Sequence, residues 1–209
     1  MGLEFNNLDG QTPLSVEELD GLKILSISTR EELDEFEQFN IEKAIQWTFG
    51  KKIQPKDLFS EKFIKDLHKR MYGEVWKWAG SFRTSEKNLG IKSYLIPVQL
   101  KQLLDDALYW YENQIYSPDE VAVRFKHQLV SIHCFANGNG RHSRLMADLI
   151  MEKLYKKPFL TWGGSSLVKS NEKRKEYIFS FYGIVDLLSF LPTFLGLFNL
   201  QFLKDFRII

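Results

Sequence analysis

The sequence predicts an all-α fold, and two observations carry that prediction. Five segments have apolar residues three or four positions apart, the spacing that places side chains on one face of a helix. Several of these segments open with a hydroxyl residue or a proline, which are typical of the first turn of a helix. By contrast, only one short run, residues 91–96, alternates in the manner of an exposed strand.

Each predicted helix has its own start and stop signals. The first begins at Ser28 or Thr29, the second ends before Gly73, the third opens at Pro97, and the fourth has Ser117 as its cap. In chain order the five helices are predicted over residues 29–49, 57–73, 97–114, 117–133 and 141–155. We expect an irregular arm over about the first 25 residues and a loop with a small hairpin between the second and third helices.

Composition limits the classes of partner. The 209 residues carry 28 Lys+Arg against 27 Asp+Glu, so the net charge is +1 and neither nucleic acid nor an acidic membrane is expected as a partner. The single cysteine, Cys134, cannot form an internal disulfide, and residues 1–14 do not resemble a secretion signal, so a cytoplasmic protein is expected. Asp186 and Pro192 interrupt the apolar stretch 177–203, which favours a buried helix pair over a membrane span.

The segment "IHCFANGNGRHSRL", residues 132–145, lies between the fourth and fifth helices. Its "NGNG" run contains residues that tolerate positive φ, which lets successive backbone N–H groups point into one concavity. At a helix N-terminus these groups form an anion site, and Arg141 and Arg144 lie on nearly one face of the same first turn. The pattern predicts a phosphate site.

His133 precedes the turn, and an imidazole can take a proton near neutral pH. Beside a phosphate site it would activate a hydroxyl for attack on phosphorus, while the arginines stabilise the developing charge. The alternative is an ordinary Gly/Asn turn between two helices. The histidine and the two arginines together favour the functional interpretation.

Residues 133–144 resemble the signature of Fic-domain proteins, H-x-F-x-[D/E]-G-N-G-R-x-x-R. The segment "GSFRTSEKNLGIKSYLIP" is similar to the family's arginine-containing loop and target-docking flap, and "TREELDEFEQFNI" is similar to the group called mobile mystery protein B. The resemblance implies a Fic-type helical bundle with a short β-hairpin flap. It also implies transfer of AMP from ATP to a hydroxyl side chain of a target protein.

The resemblance implies a role for each matching residue. His133 would be the base that deprotonates a Ser, Thr or Tyr of the target, Arg141 would hold the β-phosphate or assist the transition state, and Arg144 would clamp the γ-phosphate. Residues implied to bind the nucleotide or to shape its phosphate site are Phe135, Asn137, Gly138, Asn139, Gly140, Arg141, Arg144 and, for the adenine, Tyr177. The implied flap, which would add the target as a strand, comprises Ile91, Lys92, Ser93, Tyr94, Leu95 and Ile96.

The sequence departs from the family at the acidic position of the motif. Asn137 stands there, and a neutral amide oxygen is a weaker Mg²⁺ ligand than a carboxylate. We therefore expect Asn137 to bind Mg²⁺ weakly. The apolar stretch after Tyr177 also differs from the family's usual polar segment.

The family suggests an inhibitory helix with the pattern [S/T]-x-x-x-E-[G/N], whose glutamate pairs with the second motif arginine. Ser28 and Glu32 match all of it but the last position, and Glu35 and Glu37 are alternatives. A solvated acidic face would give the same pattern. We accordingly predict an N-terminal arm with a possible inhibitory helix over residues 1–50 and a Fic domain over 51–209, with its flap at about 85–97.

The resulting prediction is a protein adenylyltransferase with ATP as co-substrate and a hydroxyl-bearing target protein as partner. Two alternatives stay open. One is a nucleotide-binding regulator with weak or no catalysis, and the other is a transferase of a different phosphate-containing group. The sequence does not decide whether the chain forms a homo-oligomer.

Overall fold

The computed structural model describes residues 14–160 of the chain. Its helices are α1 (Val16–Leu19), α2 (Arg30–Thr48), α3 (Pro55–Leu58), α4 (Glu61–Tyr72), α5 (Ile96–Glu112), α6 (Pro118–Ile132) and α7 (Asn139–Leu149). A 3₁₀ turn, Ser93–Leu95, precedes α5, and a π-helical turn, Ile150–Leu154, follows α7. Over residues 14–160 no strand forms, which confirms the predicted all-α class.

The predicted helix starts at Thr29 and Ser117 are confirmed. The Thr29 hydroxyl accepts a hydrogen bond from Glu32 N, and the Glu32 carboxylate accepts one from Thr29 N, so the two residues form a capping box. Ser117 caps α6 through Glu120 N, and Pro118 follows in the first turn. Such caps satisfy N–H groups that have no acceptor within the helix.

The core lies where α6 packs against α7 and α5, and α2 packs against α4. Fully buried side chains in this core include Leu67, Met71, Trp76, Leu100, Phe125 and Phe135. Each buried side chain of this size contributes about 1.5–3 kcal/mol through removal of apolar surface from water. The loop between α6 and α7 therefore joins two helices that are fixed by the core.

The second predicted helix is interrupted. It forms as α3 and α4, because Phe59 leaves the helical conformation (φ −91°, ψ 49°) and the Ser60 hydroxyl accepts a hydrogen bond from Phe63 N to start a new helix. The fifth predicted helix starts at Asn139 rather than Arg141, with Gly138 as its cap. In both places a capping residue, Ser60 or Gly138, sets where the helix begins, and the apolar pattern alone does not reveal that position.

The expected β-hairpin flap and its strand at 91–96 are wrong. Ser93 to Leu95 form the 3₁₀ turn, and Ile96 is the fully buried first residue of α5. The Glu86 carboxylate accepts hydrogen bonds from Ser93 N (3.1 Å) and Ser93 Oγ (3.0 Å), which turns the chain into a helix where alternation predicted a strand.

Part of the expected irregular arm is also structured. α1 has its own capping box, in which Ser15 N donates to Glu18 Oε2 (2.7 Å) and Glu18 N donates to Ser15 Oγ (3.3 Å). Tyr177 and the apolar stretch 177–203 lie outside the described residues. Within residues 14–160, no helix combines the length and apolar character needed to cross a membrane.

Candidate active site

The loop between α6 and α7 contains two left-handed backbone positions. His133 ends α6 with φ 57° and ψ 61°, and Gly138 precedes α7 with φ 77° and ψ 0°. A Cβ on Gly138 would lie 2.5 Å from the Tyr72 ring, so both the conformation and the space require glycine there. Tyr72 therefore closes one side of the loop.

Asn139 fixes the shape of this loop through its side chain. Its Oδ1 accepts a hydrogen bond from Phe135 N (2.9 Å), and its Nδ2 donates one to Phe135 O (2.8 Å). The Phe135 ring is fully buried and stacks on the His68 ring with centroids 3.7 Å apart. Because both backbone groups of Phe135 are satisfied, the loop can stay buried at low cost.

His68 supports the loop from α4. Gly80 N donates a hydrogen bond to Nδ1 (3.0 Å), so the neutral ring carries its proton on Nε2, which lies 3.0 Å from Asn137 O. Burial, together with His142, holds the pKa of His68 well below its ordinary value. His68 is fully buried, so its ring is part of the core beneath the loop.

The N-terminus of α7 presents its backbone N–H groups beside this loop. The first α-helical hydrogen bond of α7 runs from His142 N to Gly138 O (2.9 Å). The N–H groups of Asn139, Gly140 and Arg141 precede it and thus have no α-helical acceptor. Together with the helix dipole they give this end of α7 a preference for anions.

Arg144 lies one turn into α7 and is half-buried. Within residues 14–160 its guanidinium makes no hydrogen bond or ion pair, and its Nη1 is the nearest atom, at 3.9 Å, to a Cβ placed on Gly140. Its five donors are thus available on the same side as the first turn of α7.

Arg141, the other arginine of the turn, is paired with an acid from α2. Its Nη2 lies 2.6 Å from Oε2 of Glu37, an oxygen that makes no aligned hydrogen bond within the described residues, so the contact is an ion pair. Glu37 Oε1 accepts a hydrogen bond from Trp76 Nε1 (2.7 Å), and Glu37 is buried. Burial disfavours the charged Arg141, but the Glu37 carboxylate outweighs it and raises the pKa of Arg141.

The predicted inhibitory candidates therefore differ in what they contact. Glu32 accepts hydrogen bonds from Ser28 N (2.7 Å), Ser28 Oγ (3.1 Å) and Thr29 N (3.1 Å), so Ser28 and Glu32 form the exposed cap of α2. Glu37 alone reaches the loop, and it pairs with Arg141, whereas the family pattern predicted the second arginine, Arg144.

His133 is nearly buried, with 5% of its surface exposed. Burial lowers its pKa to about 4, assisted by the positive charges of Arg83 and Lys87 and opposed by a hydrogen bond with the Val130 backbone. At neutral pH the imidazole is therefore uncharged and able to accept a proton. Its neighbour Cys134 is fully buried, and burial raises the pKa of that thiol to about 12.

The segment 81–92, which we call the covering loop, lies over His133. Arg83 anchors it: Nε donates to His133 O (2.7 Å), Nη1 donates to Ser85 O (2.8 Å), and Nη2 donates to Ile91 O. A Cβ on Gly90, where φ is 97°, would collide with the His133 Cβ. The sequence analysis identifies an arginine-containing loop but predicts no role for Arg83, because a buried side chain in a loop gives no periodic signal.

The Asn137 amide, which is expected to bind Mg²⁺ weakly, contacts the backbone of its own loop. Its Oδ1 accepts a hydrogen bond from Gly138 N (2.5 Å), so the one oxygen expected to bind Mg²⁺ is already engaged. Among residues 14–160 no group of three or more His, Cys, Asp or Glu side chains is arranged to hold a metal ion. We therefore derive no chemical step through Mg²⁺.

Comparisons with known proteins agree on one family. The Fic/DOC family model matches residues 58–151. The protein adenylyltransferase Fic of Aedes aegypti is 27% identical over 119 residues, which cover 55% of this chain but only 24% of that protein. The chain thus spans about a quarter of the length of that curated relative.

Two solved structures share the fold. The N-terminal Fic domain of the effector Bep8 from Bartonella sp. 1-1C has a TM-score of 0.58 at 20% identity and covers 75% of this chain and 78% of its own. BepC of Bartonella tribocorum, solved with bound AMPPNP, has a TM-score of 0.54 at 18% identity and covers 67% of this chain and 80% of its own. The family match and the shared fold identify residues 58–151 of this chain as a Fic/DOC-type domain.

Proposed function

We propose that this Fic-type protein is a protein adenylyltransferase that transfers AMP from ATP to a hydroxyl side chain of a target protein. The observation that carries the proposal is that one loop joins an uncharged, nearly buried His133 to the N-terminus of α7, beside an Arg144 that makes no hydrogen bond or ion pair within residues 14–160. A proton acceptor on one side of a phosphate site and cationic donors on the other are what transfer from a nucleoside triphosphate requires.

The proposed reaction is a single in-line displacement. His133 takes the proton of the target hydroxyl, and the hydroxyl oxygen forms a bond to the α-phosphorus of ATP. The bond between that phosphorus and the oxygen bridging to the β-phosphate breaks, and pyrophosphate leaves. Arg144 and the N–H groups at the start of α7 would stabilise the charge that develops on the leaving group.

ATP is proposed as donor on two grounds. The curated relative from Aedes aegypti is named a protein adenylyltransferase, and the Bartonella tribocorum neighbour binds AMPPNP, an ATP analogue. The residues named above offer the corresponding donors to a triphosphate. Tyr177, proposed for the adenine, lies outside the described residues.

Glu37 is proposed to restrain this activity. It neutralises Arg141, and while the pair is intact Arg141 is not free to hold the β-phosphate. Release of Arg141 by a change in α2 would add a second cation beside Arg144. The proposed inhibitory contact thus involves the first arginine of the motif.

Mg²⁺ is proposed only as a weak accessory ion. Asn137 Oδ1 is a neutral ligand that already accepts a hydrogen bond from Gly138 N, so its hold on a cation would be weak. The rate of transfer should therefore rise less steeply with Mg²⁺ concentration than it does in enzymes that offer a carboxylate to the ion.

Transfer of label from ATP tests the proposal. Purified protein with Glu37→Gln, which releases Arg141, is incubated with a cell lysate and ATP labelled at the α-phosphate, beside the same protein carrying His133→Ala. Label on a lysate protein that requires His133 supports the proposal. Label from γ-labelled ATP, but not from α-labelled ATP, would instead support transfer of the terminal phosphate.

A second candidate is a nucleotide-binding regulator without catalysis. The observation that favours it is Asn137, which stands where the family has a metal-binding acid. Calorimetry that detects ATP binding, combined with no transfer in the Glu37→Gln protein at any Mg²⁺ concentration, would favour this function.

A further inference from the structure

The covering loop is held not only by Arg83 but also by α1, an element outside the segment that matches the family. Ser85 Oγ donates a hydrogen bond to Glu18 Oε1 (2.7 Å), and Lys87 Nζ donates one to Glu18 Oε2. The side chains of Lys87 and Glu18 are 4% and 12% exposed. This is a largely buried ion pair with every carboxylate oxygen engaged.

Glu18 is itself fixed in place. Its Oε2 also accepts the hydrogen bond from Ser15 N that closes the cap of α1 (2.7 Å). Its backbone oxygen accepts a hydrogen bond from Trp78 Nε1 (3.0 Å). Burial alone would raise the pKa of Glu18, but the bonds from Lys87, Ser15 and Ser85 lower it, so the carboxylate is ionised at neutral pH.

The segment that follows α1 is tied to the chain beyond α4. Lys23 N donates to Val75 O (2.8 Å), and Lys77 N donates to Gly21 O (2.8 Å), forming a bridge centred on Leu22 and Trp76. Leu22 and Trp76 are both buried. α1 is therefore attached to the same unit that carries the loop, and Glu18 can act as a fixed support.

We propose that Glu18 is a positioning residue for His133, because it holds the covering loop closed over the imidazole through Ser85 and Lys87. The inference rests on the proposed role of His133 as the base. The loop reaches His133 at two points: Arg83 binds its carbonyl oxygen, and Gly90 lies against its Cβ. Loss of the bonds at Ser85 and Lys87 removes the attachment of the loop to α1, whereas the contacts of Arg83 with the carbonyl oxygens of His133 and Cys134 stay.

Loss of this support should expose His133 to water. Among residues 14–160, Arg83 and Lys87 of the covering loop place positive charge near the imidazole, and α6 contributes a hydrogen bond with the Val130 backbone. Opening the loop would rehydrate the ring and move Lys87 away. Both changes favour the protonated form, so the pKa of His133 should rise from about 4 toward its ordinary value of 6.5.

Chemical modification of histidine by diethyl pyrocarbonate tests the exposure and the pKa of His133. It is carried out on the full chain without nucleotide, so the result is independent of transfer activity. Carbethoxylation is measured at each histidine by mass spectrometry over a range of pH, which yields both a rate and an apparent pKa for His133. The variants are Glu18→Gln and Ser85→Ala. The control is Glu17→Gln, which removes the same charge from an exposed position on α1.

With Glu18→Gln we expect His133 to be modified about 5- to 10-fold faster than in the unaltered protein, because one partner of a buried pair is lost and the loop opens more often. Ser85→Ala should give a smaller increase in the same direction, and Glu17→Gln should give none. The fully buried His142 serves as the internal reference. An unchanged rate at His133 in Glu18→Gln, or an equal rise at His142, overturns the proposal.

Discussion

Glu37 Oε2 on α2 lies 2.6 Å from Arg141 Nη2 at the start of α7. Because α2 precedes the segment 58–151 that matches the family, an acid outside the matched segment forms an ion pair with an arginine within it. The carboxylate is buried and also holds Trp76. The position of Glu37 is therefore fixed by the fold, and its effect on the site can be tested by substitution.

Glu37→Gln should increase nucleotide binding and transfer. Glutamine can still accept the hydrogen bond from Trp76 through its amide oxygen, whereas the charge that neutralises Arg141 is gone. We expect ATP affinity to rise by about 10-fold, within the usual range of coupling between two sites. Isothermal calorimetry measures it, and Glu35→Gln, an exposed acid on the same helix, is the matched control. Equal affinities in the three proteins would show that Glu37 does not restrain the site.

Arg144→Ala should weaken ATP binding more than AMP binding. Its guanidinium is proposed to contact the phosphates beyond the first. AMP lacks those phosphates, so its binding should depend less on Arg144. Loss of a charge-assisted contact costs about 1.5–3 kcal/mol, or roughly 10- to 100-fold in the dissociation constant. Calorimetry with both nucleotides gives the comparison. The control is Arg124→Ala, which removes a cation from α6. An equal loss of affinity for ATP and for AMP in Arg144→Ala would contradict the assignment.

Gly138→Ala and Gly140→Ala should differ in stability although they lie two residues apart. Alanine at 138 must adopt φ 77° with its Cβ against the Tyr72 ring, which costs about 1–3 kcal/mol. Alanine at 140 has no neighbour within 3.9 Å and replaces a helical glycine, so stability should be unchanged or up to about 1 kcal/mol higher. Urea unfolding measures both. A similar free energy of unfolding for the two variants would mean that the loop relaxes around residue 138.

Stability should fall as the pH is lowered below 6.5. Burial lowers the pKa of His133 and of His142 to about 4 and holds that of His68 well below its ordinary value, whereas the unfolded chain has ordinary values. Between pH 6.5 and 4 the unfolded state binds more protons than the folded state, so its formation is favoured as acid is added. Above pH 6.5 this contribution is complete.

Urea unfolding at pH 7.5, 6.0 and 5.5 measures how the free energy of unfolding depends on pH. These values lie above the range in which carboxylates ordinarily titrate. The free energy of unfolding should decrease by at least about 1 kcal/mol per pH unit below pH 6.5. His142→Gln, which removes one of the three groups, should make the decrease shallower. A free energy that is constant over this range would show that the buried histidines are hydrated in the folded protein.

The helices and the phosphate loop follow from local sequence, and the structure agrees with them for that reason. Thr29 and Ser117 cap their helices with groups three residues away. The turn before α7 likewise depends on Gly138 and Asn139, whose conformational and hydrogen-bonding properties act within five residues. Such short-range preferences can be recognised without knowledge of the fold.

The contacts that surround the loop depend on distant partners and could not be predicted in the same way. His68 reaches Asn137, and Arg83 reaches His133, only after α4 and α6 have packed. Glu37 was one of several acids on α2, and its burial against Trp76 is what distinguishes it. The strand expected at 91–96 was wrong because six alternating residues are a weak signal beside the Glu86–Ser93 hydrogen bonds.

His133 is proposed to take a proton from a protein hydroxyl that then receives AMP. Intact-protein mass spectrometry of the Glu37→Gln protein, incubated with ATP and either a purified target or itself as substrate, tests it most directly. We expect an added mass of one AMP group, abolished by His133→Ala while ATP binding by calorimetry is retained. An AMP adduct that forms equally in the His133→Ala protein, or binding of ATP with no adduct in either protein, would contradict the claim.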